Sequence, residues 1–96
     1  MILDYRDRRT GALAGGGDVA AFRAFADQAR KRLRVLDSAT SVTDLAALRS
    51  NRLEALKGKR KGQLSIRINL QWRICFEWPR GAQGPSHVEI VDYHDE

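Results

Sequence analysis

The chain has 96 residues, 43% hydrophobic and 30% charged, with a formal net charge of +5 at pH 7. A chain this short buries only about two-thirds of the surface its unfolded form exposes, so it makes one domain, over 1–96, with one modest core. No stretch approaches the roughly 18 apolar residues needed to cross a bilayer. The opening MILDYRDRRTG lacks the apolar run of a secretory signal, and the lone Cys75 cannot close an internal disulfide; a cytoplasmic protein with no membrane partner is expected.

Residues 2–5 are apolar enough for a short strand, and 10–14 for a short helix stopped by Gly15, Gly16 and Gly17. Asp18 comes next as a candidate helix N-cap. From there Val19, Phe22, Ala26, Ala29, Leu33 and Leu36 recur at spacings of three and four, which predicts one amphipathic helix reaching Ser38. Ser41 and Asp44 fit a capping pattern ahead of Leu45 and Leu48, predicting a second, shorter helix. Residues 52–57 fit either a helix or a strand, with a strand favoured by the alternating segments C-terminal to them.

The period then changes to two. Leu64, Ile66 and Ile68 alternate with Ser65 and Arg67; Trp72, Ile74, Phe76 and Trp78 alternate with Arg73, Cys75 and Glu77. Both read as strands with one buried face. Pro79, Gly81 and the Gly84-Pro85 pair end them, and 87–93 supplies a last strand. Helices succeeded by consecutive strands predict an α+β fold: two N-terminal helices on a small, mostly antiparallel, twisted sheet, with the other sheet face polar and basic.

Register decides where the arginines go. Keeping apolar opposite apolar sets Ile68 against Trp72, Ile66 against Ile74 and Leu64 against Phe76, because a one-residue slip turns one apolar set away from the other. The connection is then 69–71, where Asn69 can take an unusual backbone conformation. The same register sets Arg67 opposite Arg73. Like charges across a strand pair are unfavourable by a few tenths to about 1 kcal/mol, and an anion bridging the two guanidinium groups reverses that sign. The plainer outcome is that the side chains splay to solvent or pair with an acid.

Charge is uneven along the chain: +2 over 1–48, +7 over 49–80 and −4 over 81–96. A basic middle suits a polyanion. Lys57, Lys59, Arg60 and Lys61, in a glycine-flanked loop, suit loose phosphate contact, although such runs are often only solvated. Asp92-Tyr93-His94 offers an acid/base end, with His94 the best proton-transfer candidate near neutral pH. Phosphate binding and proton transfer on one face suit RNA cleavage, in which the ribose 2′-hydroxyl is the nucleophile. Cys75, His87 and His94 cannot supply the four ligands of a usual structural zinc site. The basic stretch also lacks the dense carboxylates of a two-metal nuclease, so no metal or cofactor is expected.

The run NRLEALKGKRKGQLSIRINLQWRICFEW, over 51–78, with VEIVDYH over 88–94, closely resembles the HigB toxins (plasmid maintenance killer proteins) of the RelE superfamily. The resemblance implies a compact RelE-like fold. It implies a ribosome-dependent endoribonuclease, an mRNA interferase that cleaves A-site mRNA without metal and leaves a 2′,3′-cyclic phosphate and a 5′-hydroxyl. It also implies a HigA-type helix-turn-helix antitoxin, with operator DNA bound only through the complex. Carried over by position, Arg73 is the phosphate-stabilising candidate, His94 with Tyr93 and Asp92 the acid/base end, and Lys57 a further cation. Arg67, Asn69, Lys59, Arg60 and Lys61 are the RNA-binding candidates. Asn69 stands where some members carry a further functional arginine. Lys59 and Leu70 replace common acids, which should strengthen ribosome binding. The rival reading is a catalytically weak or silent relative that acts by binding antitoxin or RNA. No recognition-helix pattern supports a DNA-binding repressor.

Overall fold

The computed structural model describes residues 1–93. Among them, three α-helices precede the sheet: α1 (Arg8–Ala14), α2 (Ala26–Ser38) and α3 (Val42–Ala47). Four strands come after, β1 (Glu54–Ala55), β2 (Leu64–Arg67), β3 (Trp72–Glu77) and β4 (Ser86–Asp92). They form an antiparallel meander in the order β1-β2-β3-β4. The α+β class and antiparallel sheet are therefore as expected.

The long amphipathic helix is not continuous. Ala20–Phe25 forms a 3-10 turn, and α2 begins only at Ala26. A 3-10 turn eclipses positions three apart, which aligns the buried Phe22 and Phe25 on Trp72. Phe25 stacks on the indole at 4.7 Å and Phe22 meets it edge-on at 5.8 Å. Asp18 is not a helix cap either. Val19 occupies that position, and the Asp18 carboxylate instead takes two short bonds from Arg23, 2.9 Å from Nε and 2.8 Å from Nη2. Residues 2–5 form no strand. Tyr5 makes one isolated parallel bridge to Val88, and the segment is tied beside β4 through Leu3 N–H to the Pro85 carbonyl at 2.8 Å.

The cap on α3 is as expected: Ser41 Oγ accepts from Asp44 N–H at 3.2 Å. The Asp44 side chain reaches back mainly to Thr40, accepting from its hydroxyl at 2.6 Å and its N–H at 2.9 Å.

The strand register is the one that apolar matching requires. Leu64 faces Phe76, Ile66 faces Ile74 and Arg67 faces Arg73. Ile66, Ile74, Phe76, Val88 and Ile90 are buried against Leu13, Phe22, Leu33, Leu36 and Leu45 of the helical layer. Asn69 closes the hairpin by its side chain, its Oδ1 accepting from the N–H groups of Gln71 and Trp72, both at 2.8 Å. Its φ is not positive; among the described residues Arg52 and His87 are the non-glycine positions that are.

Candidate active site

Alternation leaves Ser65, Arg67, Arg73, Cys75, Glu89 and Val91 on the face away from the helices. Arg73 is the unusual member, only 7% exposed. Burying a permanently charged group is costly unless its donors are satisfied. Here Nε donates to Ser65 Oγ at 2.7 Å, and Nη2 donates to the Arg52 carbonyl at 2.6 Å. Ser65 is itself fully buried. Nη1 has no acceptor among the described residues. The nearest carboxylate among the described residues, that of Glu54, lies 3.9 Å from Nη2 and is half-exposed, a loose match for the charge.

The Arg52 carbonyl reaches Arg73 because of its backbone. Arg49–Asn51 is a 3-10 turn, and Arg52 ends it in the left-handed region at φ 49°, ψ 48°. A non-glycine residue there is strained by about 1 kcal/mol or more. The turn is held from beneath by the fully buried Asn51. Asn51 Nδ2 donates to the Leu45 carbonyl at 3.0 Å, and its Oδ1 accepts from Arg32 Nη1 at 2.8 Å.

Arg73 lies against a cleft of about 230 Å³. Lys57, Lys59 and Arg60 contribute the basic rim, Tyr93 a wall, and Leu56, Cys75 and Val91 the apolar lining. The Arg73 guanidinium lies 5.4 Å from the centre of the Tyr93 ring, within cation–π range. Gly58 and Gly62 take φ of 63° and 95°, which lets the loop turn tightly and present its cations. Arg60 is partly neutralised, with Nη1 donating to Glu89 at 3.1 Å and Gln63 at 3.0 Å. It therefore braces the loop on β4, while Lys57 and Lys59 stay exposed.

The fold thus gathers Arg73, Lys57, Lys59, Arg60 and Tyr93. It does not gather all the candidates. Arg67, although the cross-strand partner of Arg73, lines a different depression with Asn69. Its Nε donates to the Asn69 carbonyl at 3.3 Å. The two guanidinium groups part, so one anion bridging them is not the arrangement found; each arginine instead binds neutral acceptors on its own side. Lys61 is exposed beyond the rim. Asp92 Oδ2 accepts from Gln71 Nε2 at 2.8 Å, clasping the strand ends. His94 lies outside the described residues.

Sequence reasoning missed Ser65, Arg52 and Asn51. Ser65 was visible as a polar residue between Leu64 and Ile66 of the apolar alternation, diagonal to Arg73. The Arg52 carbonyl left no such signal, because a backbone conformation, not a side chain, does the work.

An antiparallel four-stranded meander with helices packed on one face is consistent with a RelE-like fold. A family model described as "RelE-like toxin of type II toxin-antitoxin system HigB" matches residues 21–94. The chain belongs to that family, whose members are toxins that pair with an antitoxin. It is 43% identical over 63 residues to Toxin HigB-1 of Vibrio cholerae serotype O1, covering 66% of each chain. It is also 35% identical over 68 residues to Endoribonuclease HigB of Proteus vulgaris, covering 71% of each. The chain thus spans about two-thirds of the length of these relatives. No helix among the described residues is long and apolar enough to cross a membrane.

Proposed function

We propose that this chain, acting as one cytoplasmic domain, is the toxin of a type II toxin–antitoxin pair and cuts mRNA in the ribosomal A site, halting translation. The observation that carries this reading is the Arg73 guanidinium, immobilised by Ser65 and Arg52 with Nη1 left over at a lysine-rimmed cleft. A fixed donor aimed at developing charge needs no reorganisation during reaction.

In the proposed step the ribose 2′-oxygen bonds to the adjacent phosphorus as the bond from phosphorus to the 5′-oxygen breaks. The products are a 2′,3′-cyclic phosphate and a 5′-hydroxyl. One proton leaves the 2′-hydroxyl and one arrives on the departing 5′-oxygen. Arg73, with Lys57, stabilises the charge gathered on the non-bridging oxygens. Tyr93, His94 and Asp92 are assigned to the proton-transfer end, and Lys59, Arg60 and Lys61 to looser phosphate contact. The partners in this reading are the ribosome and its mRNA, and a HigA-type helix-turn-helix antitoxin through whose complex alone operator DNA is bound. Naked RNA should be cut poorly, because a small open site does not hold the 2′-hydroxyl in line.

Primer extension on mRNA from cells expressing the chain tests this. Cuts confined to A-site codons, absent in Arg73→Ala, are expected. Growth arrest with intact mRNA would overturn the nuclease reading and leave a toxin that acts by binding.

A further inference from the structure

Beside the hairpin lies a second depression, of about 410 Å³. Gln28 and Arg32 of α2, Ser50 and Arg52 of the turn after α3, and Arg67 and Asn69 of the hairpin supply its polar lining. Three of those six side chains are guanidinium groups and none is acidic. Of the arginines elsewhere, Arg6, Arg9, Arg23, Arg30, Arg60 and Arg73 each have a carboxylate oxygen within 3.9 Å, whereas Arg8, Arg34, Arg49 and Arg80 have none among the described residues. Arg32, Arg52 and Arg67 make no ion pair among the described residues.

Two of the three are nonetheless held in place, by neutral groups. Arg32 Nη1 donates to Asn51 Oδ1 at 2.8 Å and lies 3.4 Å from Ser50 Oγ. Arg67 Nε donates to the Asn69 carbonyl at 3.3 Å. Tethers of this kind fix the direction of a cation without cancelling its charge. Gathered like charges repel, and an incoming anion relieves that repulsion while meeting several planar donors already oriented. Phosphate suits such forks in two-pronged contact. The amide and hydroxyl groups between them suit the remaining phosphate oxygens and ribose hydroxyls.

The depression also adjoins the cleft through one residue. The Arg52 side chain lines the depression while its carbonyl holds Arg73 at 2.6 Å. A ligand that engages both places is extended and repeatedly anionic, which favours nucleic acid over a compact acidic peptide.

We infer that the Arg32–Arg52–Arg67 depression is a second phosphate-binding site, which docks the backbone of structured RNA outside the cleft and seats the toxin on the RNA that presents its substrate. This rests on the ribosome-dependent reading above, and goes beyond it by separating docking from cutting.

The test is association of the full chain with purified 70S ribosomes across a salt series, for wild type, Arg67→Gln, Arg32→Gln and the double variant. Glutamine at position 32 keeps a donor for Asn51, and thermal melting checks folding. In the double variant the dissociation constant should rise about tenfold or more, and the salt slope should fall by about two. Affinity for a short single-stranded RNA should stay within about twofold of wild type, since that ligand needs only the cleft. If the double variant does not fold, Arg67→Gln alone decides, because that side chain is tethered only to its own hairpin; a slope lower by about one is then expected. Unchanged affinity and slope in a folded variant overturn the inference. So does a loss confined to binding of the cognate antitoxin, or a wild type that does not bind ribosomes. A wild type that binds ribosomes but cuts no mRNA counts against the nuclease and leaves the docking site standing.

Discussion

Arg73 on β3 is buried and held by Ser65 Oγ at 2.7 Å and the Arg52 carbonyl at 2.6 Å. Arg67, its cross-strand partner on β2, is only half-buried and has one 3.3 Å bond to its own turn. The register that makes them neighbours says nothing of this difference. What separates them is the supply of acceptors: the Ser65 hydroxyl and the Arg52 carbonyl are aimed at Arg73, and Arg67 takes only the Asn69 carbonyl of its own turn. A guanidinium locked in a dry, walled place suits a task set by geometry, such as stabilising a transition state. One tethered loosely at an open depression suits a task set by charge.

The sharpest way to break this contrast is to remove each arginine in turn. Arg73→Ala should lower the single-turnover cleavage rate on programmed ribosomes by about 10²–10³-fold, the usual loss for one preorganised donor. Arg73→Lys should recover little, because a point charge cannot span both acceptors. Arg67→Ala, at saturating ribosomes, should change that rate by less than about tenfold. Equal losses would mean that the two share the chemistry and that the divergence of their side chains is irrelevant.

Ser65→Ala sharpens the comparison from beneath. It strands the Arg73 Nε in a buried place, which should destabilise the fold by about 1–3 kcal/mol in urea melts. It should also slow cleavage about tenfold, through kcat rather than KM, as the guanidinium loosens. Ser65→Thr returns a hydroxyl and should return much of the rate. A Ser65→Ala protein that is less stable but fully active would show that the serine only fills space.

Arg52→Gly separates the two places within one residue. Glycine adopts the left-handed backbone freely, so the carbonyl stays on Arg73 while the guanidinium leaves the depression. Stability should hold or improve, by up to about 1 kcal/mol. Cleavage at saturating ribosomes should be nearly unchanged, and ribosome affinity weaker. A large fall in the saturated rate would place the Arg52 side chain in the chemistry after all.

How much of this is legible in the sequence depends on which forces act locally. The pairing of Leu64 with Phe76 and Ile66 with Ile74 was legible, because a period of two and one buried face admit one register. The meeting of the basic loop with Arg73 builds on that register, whereas Tyr93 arrives through the pairing of β3 with β4, Arg73 against Val91, which no such matching of the sequence had set. The split at Ala26 was not legible, since Phe22 and Phe25 are drawn to Trp72, some fifty residues later in the chain, and that tertiary contact overrides the helical period. The direction of each arginine was hidden for a like reason. Equal residues in equal sheet positions part because of a carbonyl aimed by a left-handed backbone, and no side-chain pattern encodes that.

The smallest expected effect concerns the support of that turn. The Asp44 carboxyl is held below the usual carboxylate range, mainly by the Thr40 hydroxyl and then by the Thr40 N–H, with smaller help from Ser41. Asp44 braces the start of α3, from which Leu45 offers the carbonyl that Asn51 Nδ2 grasps beneath Arg52. A carboxylate whose folded pKa is lowered contributes stability that is fully present above its unfolded value, near 4, and is lost as pH falls through the folded value. The group is exposed, so the effect is modest. Melting temperatures of wild type and Asp44→Asn should therefore differ slightly but steadily from neutral pH down to about 5, then converge in acid. Because this cap lies below the turn shared by both arginine sites, the same variant should weaken ribosome binding and cleavage together, with neither outrunning the other. Identical melting curves at every pH would remove the cap from the chain of supports and leave Asn51 to hold the turn alone.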